Sequence, residues 1–541
     1  MVPHIVPLSV TTTLDSTQMS PEVQIHVARV GARPRIPVQG PDCYDSAVLP
    51  TPMSEAESQL RLEASTSGLA DRVPLVSARS LVSKGQRNGI VGVAVLVLVG
   101  LVLSVRVTFT AIMALFTLVY LFAVVYRVVL FLRSVRGHSV EVVTDEEALR
   151  VPDGDLPFYT VMIAAYREAA VIGKLIENIG QFEYPIDRLE VLILIEEDDE
   201  ETLETLRHVD AGPQFKLVVV PPGEPRTKPK ALNFGLTMAR GDIVAVFDVE
   251  DTPDILQLRR SAIALSRFGP EIACLQAKLS YGNAEQNFIT RNFTIEYAMW
   301  FSFFLPGLVS LNAPIPLGGT SNHFRRAALR QLGGWDPFNV TEDCDLGVRM
   351  FREGFQVKIL ESVTLEEANS DFVNWVKQRS RWYKGYLQTF LIHLRSPREV
   401  TDDMGWRGVL HLCAFVGSTP VLAVLNPLFW GLTIVWFIAH PVFLIEIFPA
   451  PVYYVGLVLW AFGNFLLWYL TILTARVTSR DTLVFTAVLV PVYWVMMSIA
   501  AVKAMWQLVV TPSFWEKTAH GLAGSALLAE PAPVTSSPRT A

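Results

Sequence analysis

The stretch "DIVAVFDVED", residues 242–251, decides how the middle of this chain is read. Val244 to Phe247 form an apolar run of strand type, and Asp248, Glu250 and Asp251 follow directly. Carboxylates packed so closely repel one another, and leaving them unpaired in an interior is costly. A positive partner is expected beside them.

The flanking sequence alternates between strand and helix. "FYTVMIAAY", "LEVLILIEE" and "FKLVVVPP" have strand character, while "EAAVIGKLIENIGQF" and "KALNFGLTMARG" have helical spacing. Such alternation predicts a mostly parallel sheet with helices on both faces. Ligands bind at the carboxyl ends of such strands. Asp198 and Asp199 follow one strand there, and Asp248 and Glu250 another. Neither GxGxxG nor GxxxxGK[ST] occurs, so neither a dinucleotide fold nor a P-loop is supported. A divalent cation, Mg²⁺ or Mn²⁺, suits hard carboxylate oxygens and would in turn hold a diphosphate. The plainer alternative is a solvated acidic loop at a strand end.

Two further segments bear on that choice. In "NVTEDCDLGVRMFREGF", Thr341 stands where a helix N-cap would, with Glu342 and Asp343 in the first turn. The helix dipole is expected to keep Asp343 ionised and able to accept a proton. An acidic first turn that merely favours the helix start is the simpler reading. In "NWVKQRSRWYKGYLQTF", Gln378, Arg381 and Trp382 share one helix face. Arg381 suits bidentate contact with phosphate oxygens and Trp382 suits a sugar ring. An interfacial helix with aromatic and basic side chains at headgroup level would show the same residues.

The chain has 541 residues, 51% hydrophobic and only 18% charged, against roughly 25% charged in ordinary soluble proteins. That deficit indicates membrane segments. Spans are expected at about 89–105, 107–132, 408–425, 428–447, 452–474 and 482–509, six in all. Lys and Arg near the first two spans put the N-terminus and the middle section in the cytosol. With six spans, Arg476 and Arg480 fall on the opposite side, which conflicts with that rule; a re-entrant segment between 408 and 447 would change the count. A net charge of −7 with no large basic domain argues against nucleic acid. Four scattered cysteines, without a CxxC pair, argue against a zinc or disulfide framework. Residues 1–87, rich in Pro, Ser and Thr, read as mostly disordered, with a short helix over "SEAESQLRLEAS", and as dispensable up to about residue 80.

Taken together, the sequence resembles membrane-integrated family-2 glycosyltransferases, the group containing cellulose, hyaluronan and other β-glycan synthases. The resemblance covers about residues 90–510 in organisation and 157–390 in motifs. It rests on "EEDD" (196–199), "DVED" (248–251), "TED" (341–343) and "QRSRW" (378–382), in that order. It implies a GT-A-like α/β domain over 137–400, inserted between two transmembrane helices (88–132) and about four more (408–510), with a cytosolic tail from 511. It also implies site roles. Ala165, Tyr166 and Glu168 would surround the nucleotide, Asp198 would hold the uracil of a UDP-sugar, and Lys230 would lie near the diphosphate. Asp248 and Glu250 would bind the cation, with Asp251 an equally available carboxylate. Asp343 would be the general base, with Glu342 beside it. Gln378, Arg381 and Trp382 would close the site, and Gly319, Thr320, Ser321 and His323 would line the acceptor side.

The match has departures. The second acid of the family's D-x-D is Glu250 here, Asp198 and Asp199 are interchangeable, and no F-x-V-T-x-K pattern occurs. "FWEKTAHG" (514–521) is a candidate cover, with Trp515 and Lys517 facing the site, or a plain juxtamembrane anchor. The expected activity is inverting transfer from a UDP-sugar, glucose first and N-acetylhexosamines second, to a growing β-linked polysaccharide. Export through the cell membrane would accompany it, with accessory subunits as allowed partners. Single transfer to a lipid acceptor is the alternative, and a non-catalytic transport protein the third reading.

Overall fold

The computed structural model describes residue 51 and residues 53–137, 139–442, 454–456, 458, 462–512 and 514–516. Among these, nine strands form one mixed sheet: β1 (Val140–Glu141), β2 (Tyr159–Ala165), β3 (Leu189–Glu196), β4 (Phe215–Val220), β5 (Ile243–Phe247), β6 (Thr252–Pro253), β7 (Ile272–Tyr281), β8 (Asn322–Arg325) and β9 (Gln356–Glu366). Their order is β1-β9-β7-β8-β5-β2-β3-β4, with β6 beside β9. The β2, β3, β4 and β5 pairings are parallel, as are β1 and β7 with β9. Only β8, between β5 and β7, and β6 run antiparallel to their neighbours.

Both faces of the sheet are covered, which explains why its strands read as unbroken apolar runs. Met162, Leu192, Leu194, Val244 and Val246 enter one core. The alternate residues Val161, Ile163, Ile193, Ala245 and Phe247 enter the other. Because β2, β3, β5, β7 and β9 point the same way, Ala165, Glu196, Asp248 and Glu366 all arrive at one edge of the sheet.

Four helices among the described residues are long and apolar enough to cross a membrane: Lys84–Leu103, Val105–Arg136, Pro397–Ala439 and Val490–Val510. Ser83 and Gln86 form a capping box at the first. Asn464–Val477 is apolar but shorter. The expected division at Asn426-Pro427 is absent, because Pro427 lies inside a continuous helix. In an apolar medium a backbone that leaves the helix has no water to bond, so one lost N–H is the cheaper outcome. The real bend is at Gly405, whose φ of 67° suits glycine. The last helix starts at Val490, since residues 481–488 are two short turns instead. Part of the expected 428–447 and 452–474 spans lies outside the described residues.

The expectation of disorder up to residue 87 is corrected over its described part. Glu55–Thr66 is a helix, capped by Ser54, and packs on the Lys228–Met238 helix. Leu62 shares a core with Leu232, Leu236 and Val220. Asn233 donates to Ser65 O at 3.2 Å. Farther on, Ser77 Oγ and Ala78 N–H donate to Asp336 at 3.2 and 2.5 Å. The segment therefore braces the loop that leads to Thr341-Glu342-Asp343, and truncation near residue 83 would remove that brace. Sequence patterning concealed this because the helix contributes few apolar residues and gains its burial from the domain. Leu62→Ala is expected to cost about 2–5 kcal/mol in chemical denaturation. An unchanged denaturation midpoint would show that the helix does not hold the domain.

Candidate active site

A cavity of about 680 Å³ opens at the carboxyl edge of the sheet. Of the residues expected at a site, Ala165, Tyr166, Glu168, Asp248, Glu250, Glu342, Asp343, Gln378, Arg381 and Trp382 line it, as do Gly319 and Thr320. Each motif is delivered by an element end. Asp248 and Glu250 leave β5, Glu342 and Asp343 open the Glu342–Arg352 helix, and Gln378, Arg381 and Trp382 share a face of the Phe372–His393 helix. That helix docks closely on the Thr341 segment because position 385 is glycine. A Cβ there would stand 2.2 Å from Thr341 Oγ1.

Several expected residues sit elsewhere. Lys230 is fully buried beneath the site, paired with Glu196 at 2.7 Å and donating to Pro221 O at 3.1 Å. Its place is taken by Lys228, which lines the cavity, pairs with Asp248 and donates to Gly319 O at 3.0 Å. Residues two apart at a helix start face different ways. Asp198 is not among the lining residues; it is half exposed and paired with Arg226 at 2.5 Å, and Arg226 does line the cavity. Asp199 is structural: it accepts from Arg167 N–H at 2.5 Å and from Thr202 N–H at 3.3 Å.

Asp251 is fully buried and accepts from Asp248 N–H at 2.7 Å and from the Thr320 hydroxyl. It shapes the turn, and Glu250 is the second acid that faces the cavity. Ser321 and His323 are buried away from the cavity, with His323 Nδ1 bonded to Tyr159 Oη at 2.5 Å. Burial pushes the His323 imidazole down to about 3, so it is a neutral core residue.

Glu366, at the end of β9, joins the acids and was not legible in the sequence. Burial, and then the charges of Asp251, Asp248 and Glu250, hold it well above the usual carboxylate range. Burial works against the Lys228 ammonium, but Asp248 and Glu342 outweigh it and hold its pKa above the ordinary lysine value. The site is thus an acid-rich pocket balanced by Lys228 and Arg381.

No group of three or more metal-ligating side chains gathers among the described residues. Two cavity-facing carboxylates, Asp248 and Glu250, still fit a hard cation, because Mg²⁺ is commonly held by one or two carboxylates plus substrate phosphates.

Asp343 differs from its expected state. Burial pushes its carboxyl up to about 6, against the Cys344 N–H, Lys228 and Arg381. Glu342 is driven up to about 7 by burial and by Asp343. The Cys344 N–H donates to Asp343 Oδ1 at 2.7 Å, and a Cβ on Gly319 would stand 3.4 Å from its Oδ2. A buried carboxylate titrating near neutral pH is well matched to taking a proton.

The Phe372–His393 helix serves two sides. Arg379 binds Glu296 through two hydrogen bonds of 2.7 and 2.6 Å, and its guanidinium lies 4.6 Å from the Trp382 ring centre. Tyr297 stacks near Trp382 at 6.2 Å, so the tryptophan is fixed from behind. Trp375 packs 5.1 Å from Tyr493 of the Val490–Val510 helix. The segment after that helix folds back, with Lys384 Nζ on Phe514 O at 2.5 Å and Gln388 on Pro512 O at 2.8 Å. Trp515 lines the cavity 4.8 Å from the Arg381 guanidinium. Lys517 lies outside the described residues.

The cavity continues beyond the acids between the apolar helices. Arg127, Thr419, Leu422, Asn426, Leu467 and Met497 line that part.

The profile of Glycosyltransferase like family 2 matches residues 157–385, and that of Glycosyl transferase family 21 matches 314–482. A Beta-monoglucosyldiacylglycerol synthase of Synechocystis sp. is 32% identical over 283 residues, 50% of this chain and 57% of that protein. A Probable glucomannan 4-beta-mannosyltransferase 14 of Arabidopsis thaliana is 26% identical over 250 residues, 44% of this chain and 46% of that protein. The chain thus spans about half the length of the curated relatives it matches. A mannosyltransferase from Pyrobaculum calidifontis, in complex with GDP-Man and Mn²⁺, aligns at TM-score 0.44 and 20% identity. That alignment covers 74% of this chain and 99% of that one. Residues 157–385 are a glycosyltransferase family 2 domain with a GT-A-like mixed α/β sheet.

Proposed function

We propose that the chain transfers one sugar from a UDP-sugar to a hydroxyl of a membrane lipid, with inversion at the anomeric carbon. The observation that carries this reading is the continuity of the cavity. It joins the acidic edge of the sheet to a space walled by membrane helices, so a lipid can offer its head to the site while its tails stay apolar. The relative named as a glucosyldiacylglycerol synthase supports a lipid acceptor over the polymerising, exporting enzyme that the motifs suggest. The relative named as a glucomannan transferase keeps the polymer reading as the second one.

In this reading Ala165, Tyr166 and Glu168 surround the nucleotide, and Arg226, Lys228 and Arg381 face its diphosphate. Asp248 and Glu250 would hold Mg²⁺ or Mn²⁺, which supplies Lewis-acid stabilisation of the leaving UDP. Asp343 takes the proton of the acceptor hydroxyl. The freed oxygen attacks the anomeric carbon, the bond from that carbon to the UDP oxygen breaks, and the electron pair leaves with UDP. Gln378 and Trp382 cover the sugar. The helices cross the cell membrane several times, and the domain faces the cytosol where nucleotide sugars are held.

The test is a partition measurement. Protein in bilayers made from a total lipid extract is given each of a panel of radiolabelled UDP-sugars. Label should enter the organic phase with one of them. Label confined to a water-soluble, size-heterogeneous polymer would contradict the lipid reading and favour the second.

A further inference from the structure

The Val105–Arg136 helix carries a buried charge, Arg127, that the transfer chemistry leaves unused. Arg127 is buried and lines the cavity at the level of the membrane helices. Its guanidinium donates to Ala123 O at 3.1 Å, Ser418 Oγ at 3.3 Å and Thr419 Oγ1 at 2.8 Å, and lies 5.9 Å from the Phe415 ring centre. Every one of these partners is neutral. Among the described residues no carboxylate pairs with it, although a guanidinium has five N–H donors to place. Two turns along the helix from Thr419, Asn426 Oδ1 on the same cavity wall is buried without a hydrogen-bond partner. Thr419, Asn464 and Thr471 add polar groups to a wall that also holds Leu422, Leu467 and Met497. An arginine kept inside a membrane segment against its desolvation cost calls for an anion. Arg127 and Asp343 line the same cavity.

Resting on the lipid-acceptor reading, we infer that Arg127 forms an acceptor subsite for a lipid phosphate, so that the acceptor is a phosphate-bearing lipid with a free hydroxyl. A neutral diacylglycerol has no group to neutralise Arg127. The guanidinium fork matches phosphate oxygens in a bidentate way, and Asn426 Oδ1, an acceptor two helical turns from Thr419 on the same wall, suits a hydroxyl of the lipid and not its phosphate. The hydroxyl to be glycosylated lies on the headgroup side of that phosphate, toward Asp343. Two lipid classes share this chemistry: glycerophospholipids with hydroxylated headgroups, and polyprenyl pyrophosphate-linked sugars.

The experiment uses the full chain in vesicles containing phosphatidylglycerol, a polyprenyl pyrophosphate-linked sugar, or diacylglycerol, with the UDP-sugar panel above. A phosphate-bearing lipid is expected to be the better acceptor, and which of the two is labelled identifies the source. Arg127→Gln should raise the KM for that lipid roughly 10- to 100-fold, as expected for losing charge-assisted hydrogen bonds. Its affinity for UDP should stay at the wild-type value. Arg127→Lys keeps the charge without the planar fork, and should give a smaller rise even where the glutamine variant folds poorly. Diacylglycerol serving as well as the phosphate lipids would overturn the proposal while leaving the lipid reading in place. An unchanged KM in both variants, or an equal loss of UDP affinity and transfer, would overturn it too, the latter marking Arg127 as a staple between helices. Polymer formation with no labelled lipid would remove the underlying reading and this subsite with it.

Discussion

Asp343→Asn is expected to lower transfer by about 10²- to 10⁴-fold while UDP affinity stays near the wild-type value, the range typical of losing a general base. The amide keeps the size of the side chain but cannot take the acceptor's proton. The same assignment predicts an acid limb in the pH profile. Burial raises the Asp343 carboxyl to about 6, so it is ionised and competent above that pH and becomes protonated as pH falls through it. Because Glu342 titrates nearby, at about 7, the measured limb belongs to the pair. Initial rates should fall about tenfold per pH unit below the limb. Near-normal turnover of the asparagine variant, or a flat profile down to pH 5, would remove Asp343 from this role.

Asp248→Ala should abolish activity, and so should excess chelator, with Mg²⁺ or Mn²⁺ restoring the chelated wild-type enzyme. Losing groups that merely support a metal ligand costs roughly 10- to 100-fold, so losing a ligand should cost more. The variant also strips Lys228 of its carboxylate partner, leaving a buried ammonium beside Glu342. Glu250→Gln should raise the metal concentration needed for half-maximal rate. Asp251→Asn should act mainly on stability, since Asp251 holds Asp248 N–H and the Thr320 hydroxyl rather than facing the cavity. Full activity in excess chelator would contradict the cation's place in the account.

How much of this was legible can be read from particular residues. The alternating apolar runs announced the parallel strands, and the acids after β5 pointed to the edge where the cavity lies. Patterning could not separate Lys228 from Lys230, because two lysines flank one proline and only the helix geometry turns the first toward the site. Nor could it rank Glu250 against Asp251, which are adjacent in sequence; a turn hydrogen bond buries Asp251 and leaves Glu250 to face the cavity. Glu366 was invisible because its strand lies more than a hundred residues beyond β5 in the chain, and strand pairing alone brings it back. The short helix over Glu55–Thr66 was read from the sequence, but its packing was not, because Leu62 finds its core only in the folded domain. Hydropathy placed a boundary at Pro427, where the helix runs through.

The mass spectrum of the product tests the central claim most directly. Full-length protein in lipid bilayers is supplied with the UDP-sugar it turns over, and the organic-phase product is analysed intact. The account predicts a membrane lipid heavier by a single sugar, joined in the β configuration. A ladder of masses spaced by repeated sugar units, or an α-linked product, would contradict it.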